Sequence, residues 1–373
     1  MSASKPTIVV VGAGVIGLTI ALKLQSSHRH HQVLLVSHEW PTSIPGAPTR
    51  HSADYASMWA GAHVRPIPAT TPQLQREAAW VRTTVAEFER QAREAPWMGV
   101  TKCSGVEYLE APGPDYTQQT AESFARETGL SGYRLHSKDE LPQGVQLGFE
   151  YDTFCVNSPV YCASLLRLFV AGGGKTLQRH LKSEWEGHCL ASDVRLVINA
   201  SGTGFGDIKS FPTRGQTCLT NLTSATKTVT RQKKDGSWSF IIPRFFGGGT
   251  VVGGTKQPGD WSIEPDPATR RWLLSEGAKI TGYATGGKQV AADDIGVIAD
   301  VVGRRPTREG GMRIEAEKRD LVGLDGKKKT GSVLHAYGAG GRGYEISWGV
   351  AVEVAHLVEG LVSQETTGPI SKL

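Results

Sequence analysis

The chain has 373 residues, 39% of them hydrophobic and 21% charged, with a formal net charge of +5. That length allows two domains, or one large domain with an inserted part, and the composition is that of an ordinary soluble globular protein. The mild, dispersed charge argues against a nucleic-acid partner, no apolar run approaches membrane-spanning length, and no signal peptide precedes the first strand.

Ile8 to Val11 form an unbroken β-branched run, suited to a strand buried on both faces. Gly12-Ala13-Gly14-Val15-Ile16-Gly17 follows as G-x-G-x-x-G and leads into apolar residues at helical spacing. Gly12 suits a tight turn, Gly14 a close approach of backbone to a pyrophosphate, and Gly17 close packing of helix on strand. The N–H groups at the helix start then face the phosphates. A second strand, Gln32 to Val36, ends in Ser37-His38-Glu39. A dinucleotide site usually places there an acid for the ribose hydroxyls; here either Glu39 reaches back, or Ser37 and His38 replace it. The motif thus indicates a dinucleotide and leaves NAD, NADP and FAD open.

After the loop Pro41 to Arg50, the small and hydroxyl-bearing residues from His51 to Pro66 suit a segment running along a cofactor, with Ser52, Gly61 and Ala62 as contacts. Thr71 and Pro72 start a helix as cap and first-turn proline, and Pro96 stops it. Its stripe Leu74, Ala78, Val81, Val85, Phe88 is core packing. Short strands and loops are expected between Gly99 and Gly148, including Gly105 to Leu109 and Gln146 to Tyr151. Asn157-Ser158-Pro159 opens another helix, which ends at Gly172-Gly173-Gly174. Lys175 to His180 and Val194 to Asn199 return the chain to a parallel sheet, and Ala200-Ser201-Gly202 brings backbone to the cofactor again.

From Phe205 to about Asp300 short β runs predict a mostly antiparallel substrate domain. Lys327-Lys328-Lys329 reads as a solvated turn. Strand Ser332 to Tyr337 enters Gly338-Ala339-Gly340-Gly341-Arg342-Gly343-Tyr344-Glu345 and then an apolar helix, Val350 to Leu361. The start of that helix could stabilise negative charge on a reduced ring. Two strand-glycine-helix units at opposite ends of one chain suit a long cofactor such as FAD, with contacts at Gly340, Gly341, Gly343, Tyr344 and Glu345. The five scattered cysteines lack metal-ligand spacing and read as reduced thiols, so no metal site is expected. Ser371-Lys372-Leu373 has the form of a peroxisomal address read by an import receptor.

These motifs in this order resemble the D-amino-acid oxidase family of FAD enzymes, which includes the D-aspartate oxidases. The matching pieces also include Trp59-Ala60-Gly61-Ala62, Arg214-Gly215-Gln216, Ile241-Ile242-Pro243-Arg244, Gly253-Gly254-Thr255 and Gly303-Arg304-Arg305-Pro306. The resemblance implies an α/β fold with a Rossmann-type FAD-binding domain (residues 1–62, 150–205 and 300–373). Interleaved with it is a mixed, largely antiparallel β-sheet substrate domain (63–149 and 206–299). It implies hydride transfer from Cα of a D-amino acid to the flavin and release of an imino acid that water hydrolyses. Molecular oxygen then reoxidises the flavin and yields hydrogen peroxide. Catalysis comes mainly from aligning the Cα–H bond while the carboxylate is fixed. A homodimer is compatible with the sequence, which does not specify it.

By the same resemblance Arg305 matches the arginine that clamps the α-carboxylate, a task suited to its planar fork. Arg304 should point the other way. Where the family carries tyrosine before I-I-P, this chain has Phe240, expected as an apolar wall. Arg305 then acts with less help, or with the hydroxyl of Tyr344. His63 and Arg65 stand where broad-specificity members tend to carry uncharged residues. Arg65, assisted by His63, could receive the side-chain carboxylate of D-aspartate or D-glutamate, with Lys256 and Arg342 as further basic candidates. The alternative is that Arg65 lines the entrance or pairs with an acid such as Glu77. The leading expectation is a peroxisomal D-amino-acid oxidase, with an oxidase of acidic D-amino acids as the alternative. An oxidase of glycine or N-methyl amino acids and a catalytically idle flavoprotein are more remote.

Overall fold

A computed structural model describes residues 5–42, 51–322 and 328–366. The chain opens on β1 (Thr7–Val11), α1 (Val15–Ser27) and β2 (Gln32–Ser37), with the two strands parallel. Ile8 and Val10 pack into one hydrophobic cluster and Val9 and Val11 into another, so β1 is buried on both faces as its composition predicts. The short α2 (Ala56–Trp59) precedes α3 (Pro72–Glu94). The Thr71 hydroxyl accepts the Leu74 N–H at 3.2 Å, a cap worth ~1 kcal/mol. Ala78, Val81, Val85 and Phe88 are buried, whereas Leu74 is half-buried.

The segment expected as short strands and loops is more regular. β3 (Val100–Leu109) and β5 (Leu147–Val156) pair along their full lengths, and α4 (Pro114–Thr117), α5 (Ala121–Thr128) and β4 (Arg134–Leu135) lie between them. Helix α5 escapes the periodicity test because it buries only Phe124 and Thr128; its start is fixed by reciprocal hydrogen bonds between Thr120 and Ser123. Next come α6 (Ser158–Ala171), started by Asn157 and ended at Gly172, and then β6 (Lys175–Gln178) and β7 (Val194–Asn199). The chain continues through β8 (Ser210–Thr220), β9 (Thr228–Gln232), β10 (Trp238–Pro243), β11 (Thr250–Gly253) and β12 (Gln257–Pro258). It continues through α7 (Pro267–Ala278), α8 (Thr281–Ala284) and β13 (Val297–Arg308). The chain finishes with β14 (Arg313–Val322), β15 (Lys328–Tyr337) and α9 (Gly343–Thr366).

Two sheets result. One has six strands in the order β14-β15-β7-β1-β2-β6, parallel except for the β14–β15 pair. The other has nine, in the order β12-β8-β11-β10-β9-β3-β5-β4, with β13 also on β8; its pairs are antiparallel except β3–β9. The expected domain boundaries at 150 and 300 fall inside β5 and β13, both strands of the nine-stranded sheet.

Helix α9 begins at Gly343, seven residues before the expected Val350, which puts Tyr344 and Glu345 in its first turn. Contrary to the sequence expectation, Gly343–Ser363 is long and apolar enough to cross a membrane, with mean hydropathy 1.3. Val350, Ala351, Val354 and Val358 are nevertheless fully buried, each valine stabilising the core by about 1.5–3 kcal/mol. The helix packs on α1 and α3, and a Cβ at Gly349 would lie 2.2 Å from the Trp80 Cα. It is a core helix. Lys328 and Lys329 open β15; Lys327, residues 43–50 and Ser371-Lys372-Leu373 lie outside the described residues.

Candidate active site

A cavity of about 1330 Å³ opens at the carboxyl ends of β1, β2 and β7, where Val11, Val36 and Ala200 meet it. Its wall includes Gly12, Ala13, Gly14, Val15, Ile16, Ser37, His38, Ser52, Gly61, Ala62, Gly202, Gly340, Gly341, Gly343, Tyr344 and Glu345. Arg305, Phe240, His63 and Arg65 line the same cavity. Gly17 does not. Its place is behind the wall, where a Cβ would sit 1.9 Å from the Gly12 carbonyl oxygen, so it permits helix–strand packing.

The glycine turn leaves donors for an anion. Gly12 has φ +108°, and a Cβ there would lie 2.4 Å from the Ala200 carbonyl oxygen. Val15 N–H donates to the Ser57 hydroxyl at 3.0 Å and Ala13 N–H to the Ser37 hydroxyl at 3.3 Å. The N–H groups of Gly14 and Ile16 have no partner among the described residues. Together with the helix dipole they fit the pyrophosphate of a dinucleotide. Of the candidates at the end of β2, Ser37, His38 and Glu39 are all on the wall. The Glu39 carboxylate accepts the Ser52 N–H at 2.9 Å and the Ser52 hydroxyl at 2.5 Å. The long cavity with a glycine cradle at one end and the α9 N-terminus on its wall fits FAD.

On the side of the nine-stranded sheet, Arg305 is largely buried and no carboxylate reaches it among the described residues. Its Nη1 donates to the Thr255 carbonyl at 3.2 Å, and burial pulls its pKa below the usual arginine value. Gly215 makes the room: a Cβ there would lie 2.3 Å from Nη1. Arg304 points the other way, as strand alternation requires, donating to Asp54 at 2.8 Å and to the Trp261 carbonyl at 2.8 Å. Phe240 is a buried wall residue, edge-on to Trp238 at 5.9 Å, and Gly253 and Gly254 clear the tip of its ring.

His63 and Arg65 alternate with the buried Val64, whose N–H donates to the Phe154 carbonyl at 3.0 Å, so both face the cavity. Burial, aided by Arg65, pushes the His63 imidazole down to about 3, and the ring is neutral at physiological pH. Its Nδ1 lies 3.4 Å from the Thr228 hydroxyl, while Nε2 is buried without a partner. Thr228 donates to Nδ1 in one tautomer of the neutral ring and accepts from it in the other. Arg65 stacks over the Trp238 ring at 5.2 Å.

Three expectations are corrected. Arg65 does not pair with Glu77; its Nε lies 3.3 Å from each oxygen of Glu107, a fully buried acid on β3. Arg342 is not a free cation, since Nη1 donates to Glu77 at 2.6 Å and Nη2 to Glu345 at 3.1 Å; burial pushes the Glu345 carboxyl up against this pairing. The Tyr344 hydroxyl is not free for a carboxylate: it donates to the Ser57 carbonyl at 2.7 Å and lies 3.2 Å from Cys162 Sγ. Lys256 is an exposed member of the cavity rim. Cys103 and Cys155 thiols approach to 3.4 Å and remain free. Sequence reasoning overlooked Glu107 and Trp238. The one available signal was an acid between Val106 and Tyr108 in the otherwise apolar run Gly105 to Leu109.

Comparison with known proteins agrees with this geometry. The family model described as FAD dependent oxidoreductase matches residues 7–357. The chain is 45% identical over 368 residues to a D-aspartate oxidase of Talaromyces thermophilus, covering 95% of each chain. It is 29% identical over 371 residues to a D-amino-acid oxidase of Fusarium vanettenii, covering 95% of this chain and 96% of that one. Among solved structures, glycine oxidase from Bacillus cereus superposes with TM-score 0.65 at 15% identity, covering 95% of each chain. Iminodiacetate oxidase from Chelativorans sp. BNC1 gives 0.63 at 16%, again covering 95% of each, so these two share the fold. The chain therefore belongs to the DAO family of FAD-dependent oxidoreductases, and it is an enzyme that binds FAD and oxidises a Cα–N bond.

Proposed function

We propose that this enzyme oxidatively deaminates acidic D-amino acids, D-aspartate first among them. The observation that carries this reading is the pairing of two guanidinium groups in one cavity. Among the described residues Arg305 has no carboxylate partner, and Arg65 is held through Nε with no hydrogen bond from its terminal nitrogens. His63, a neutral imidazole with Nε2 unpartnered, lines the same cavity as Arg65. The similarity to a D-aspartate oxidase supports the same choice.

In this reading Arg305 grips the α-carboxylate through its fork, and Arg65 with His63 receives the side-chain carboxylate. Phe240 and Trp238 exclude water from the space between. Bound FAD supplies the electron acceptor for the Cα hydride, with oxygen as final acceptor and hydrogen peroxide as product. The unbonded N–H groups of Gly14 and Ile16 would hold its pyrophosphate. Ser371-Lys372-Leu373 supports a peroxisomal address, where peroxide can be contained.

The test is anaerobic bleaching of the yellow enzyme by D-aspartate, D-glutamate, D-asparagine and D-alanine, followed by kcat/KM for each. D-Aspartate should exceed D-asparagine by about 10–100-fold, the worth of one charge-assisted pair at ~1.5–3 kcal/mol. Arg65→Ala should remove that margin. Equal or better turnover of D-alanine would overturn the acidic-substrate reading.

A further inference from the structure

The resting site holds Arg65 in an unusual way. A cation meant for a substrate carboxylate already has a carboxylate of its own: Glu107, fully buried, sits with both oxygens 3.3 Å from Nε. The acid is itself held by its surroundings, accepting from Gln232 Nε2 at 3.4 Å and lying 3.5 Å from the Tyr151 hydroxyl. Burial pushes the Glu107 carboxyl upward and Arg65 opposes it. Glu107 engages only the Nε edge, and the Trp238 ring lies against one face. Arg65 lines the cavity, and neither terminal nitrogen makes a hydrogen bond among the described residues.

The charges then distinguish the two arginines. Arg65 with Glu107 forms a neutral pair, whereas Arg305 is the one buried guanidinium on the described cavity wall with no carboxylate partner. A dicarboxylate has two ends that either arginine could grip, and only one orientation sets Cα–H for reaction. An uncompensated buried cation attracts an anion more strongly than a paired one.

We infer that Glu107 is a specificity-determining positioning residue: by neutralising and anchoring Arg65 it leaves Arg305 as the stronger carboxylate site, so that an acidic substrate enters in a single orientation. The inference rests on the acidic-substrate reading above. Without Glu107 the two guanidinium groups compete for the α-carboxylate, and part of the bound substrate lies reversed. Non-productive binding has a signature that loss of structure lacks: kcat and KM fall together while kcat/KM holds.

The experiment compares wild type, Glu107→Gln, Glu107→Asp and the double variant Arg65→Met/Glu107→Gln as flavin-loaded enzymes at mildly alkaline pH. D-Aspartate and D-asparagine are the substrates, and propanoate is the probe for anion capture. For Glu107→Gln, kcat and KM for D-aspartate should fall together by about tenfold, and propanoate should inhibit about tenfold more strongly. Glu107→Asp should move both parameters back toward wild type. In the double variant the second cation is gone, and the strengthened propanoate inhibition should vanish. Unchanged kcat and KM in a folded Glu107→Gln enzyme would overturn the inference. So would an equal loss of kcat/KM on both substrates. If wild type itself shows no preference for D-aspartate over D-asparagine, the acidic-substrate reading is what fails, whatever the variants do.

Discussion

Replacing Gly215 by alanine tests the clamp without touching its charge. Gly215 faces Gly303 across β8 and β13, and its φ is not in the left-handed region, so the backbone accepts alanine. A Cβ there would lie 2.3 Å from Arg305 Nη1, 2.5 Å from Nη2 and 2.6 Å from Cζ. Ordinary carbon contacts need about 3.5 Å, so the guanidinium must retreat by roughly 1 Å. The fold should survive, because what yields is the far end of a flexible side chain. Alanine in place of glycine in a strand even favours folding by roughly 0.5–1 kcal/mol. A misplacement of about 1 Å at a substrate-positioning group costs on the order of 10²-fold in rate. The assay is peroxide formation under steady-state conditions, with thermal unfolding and flavin absorbance as checks on the protein. Gly215→Ala should lower kcat/KM by about 10²-fold while its melting temperature holds or rises. In an Arg305→Leu background the same change should be nearly silent, since its target is gone. A folded, yellow Gly215→Ala enzyme within about threefold of wild type would refute the assignment of Arg305.

Arg305→Leu itself removes two charge-assisted hydrogen bonds of about 1.5–3 kcal/mol each, so kcat/KM should fall by about 10²–10⁴-fold. Its melting temperature should not drop, because the lost charge is buried and uncompensated. Gly12→Ala forces a Cβ to within 2.4 Å of a backbone oxygen at a φ of +108°, and the protein should purify without its yellow colour; full flavin content would contradict the cradle. His63 has its pKa lowered from 6.5 to about 3, so between those values the unfolded chain binds a proton that the folded chain refuses. Stability contributed by this group is therefore present above pH 6.5 and declines as pH falls toward about 3. Chemical unfolding midpoints at about pH 7 and about pH 5 should differ less in His63→Gln than in wild type; an unchanged difference would exclude a buried neutral His63.

The parts whose physics is local are legible in the residues alone. The β-branched run into Gly12-Ala13-Gly14-Val15-Ile16-Gly17 specifies strand, turn and helix through backbone requirements that neighbours in the chain decide. Gly17 meets the Gly12 carbonyl, as its place in the motif implies. Alternation likewise separates Arg304 from Arg305 before any fold is known. The partners of Arg65 and Tyr344 come from tertiary contact. Arg65 and Glu107 are 42 residues apart and touch only because the 63–65 segment lies against β5, which pairs with β3. The Tyr344 hydroxyl turns into the core because Ser57 offers a carbonyl from a segment 287 residues away. A side chain's type limits what it can do, but its partner is set by strand register. Burial then makes that partner count, because inside the protein an unpaired charge is costly and a paired one is already committed.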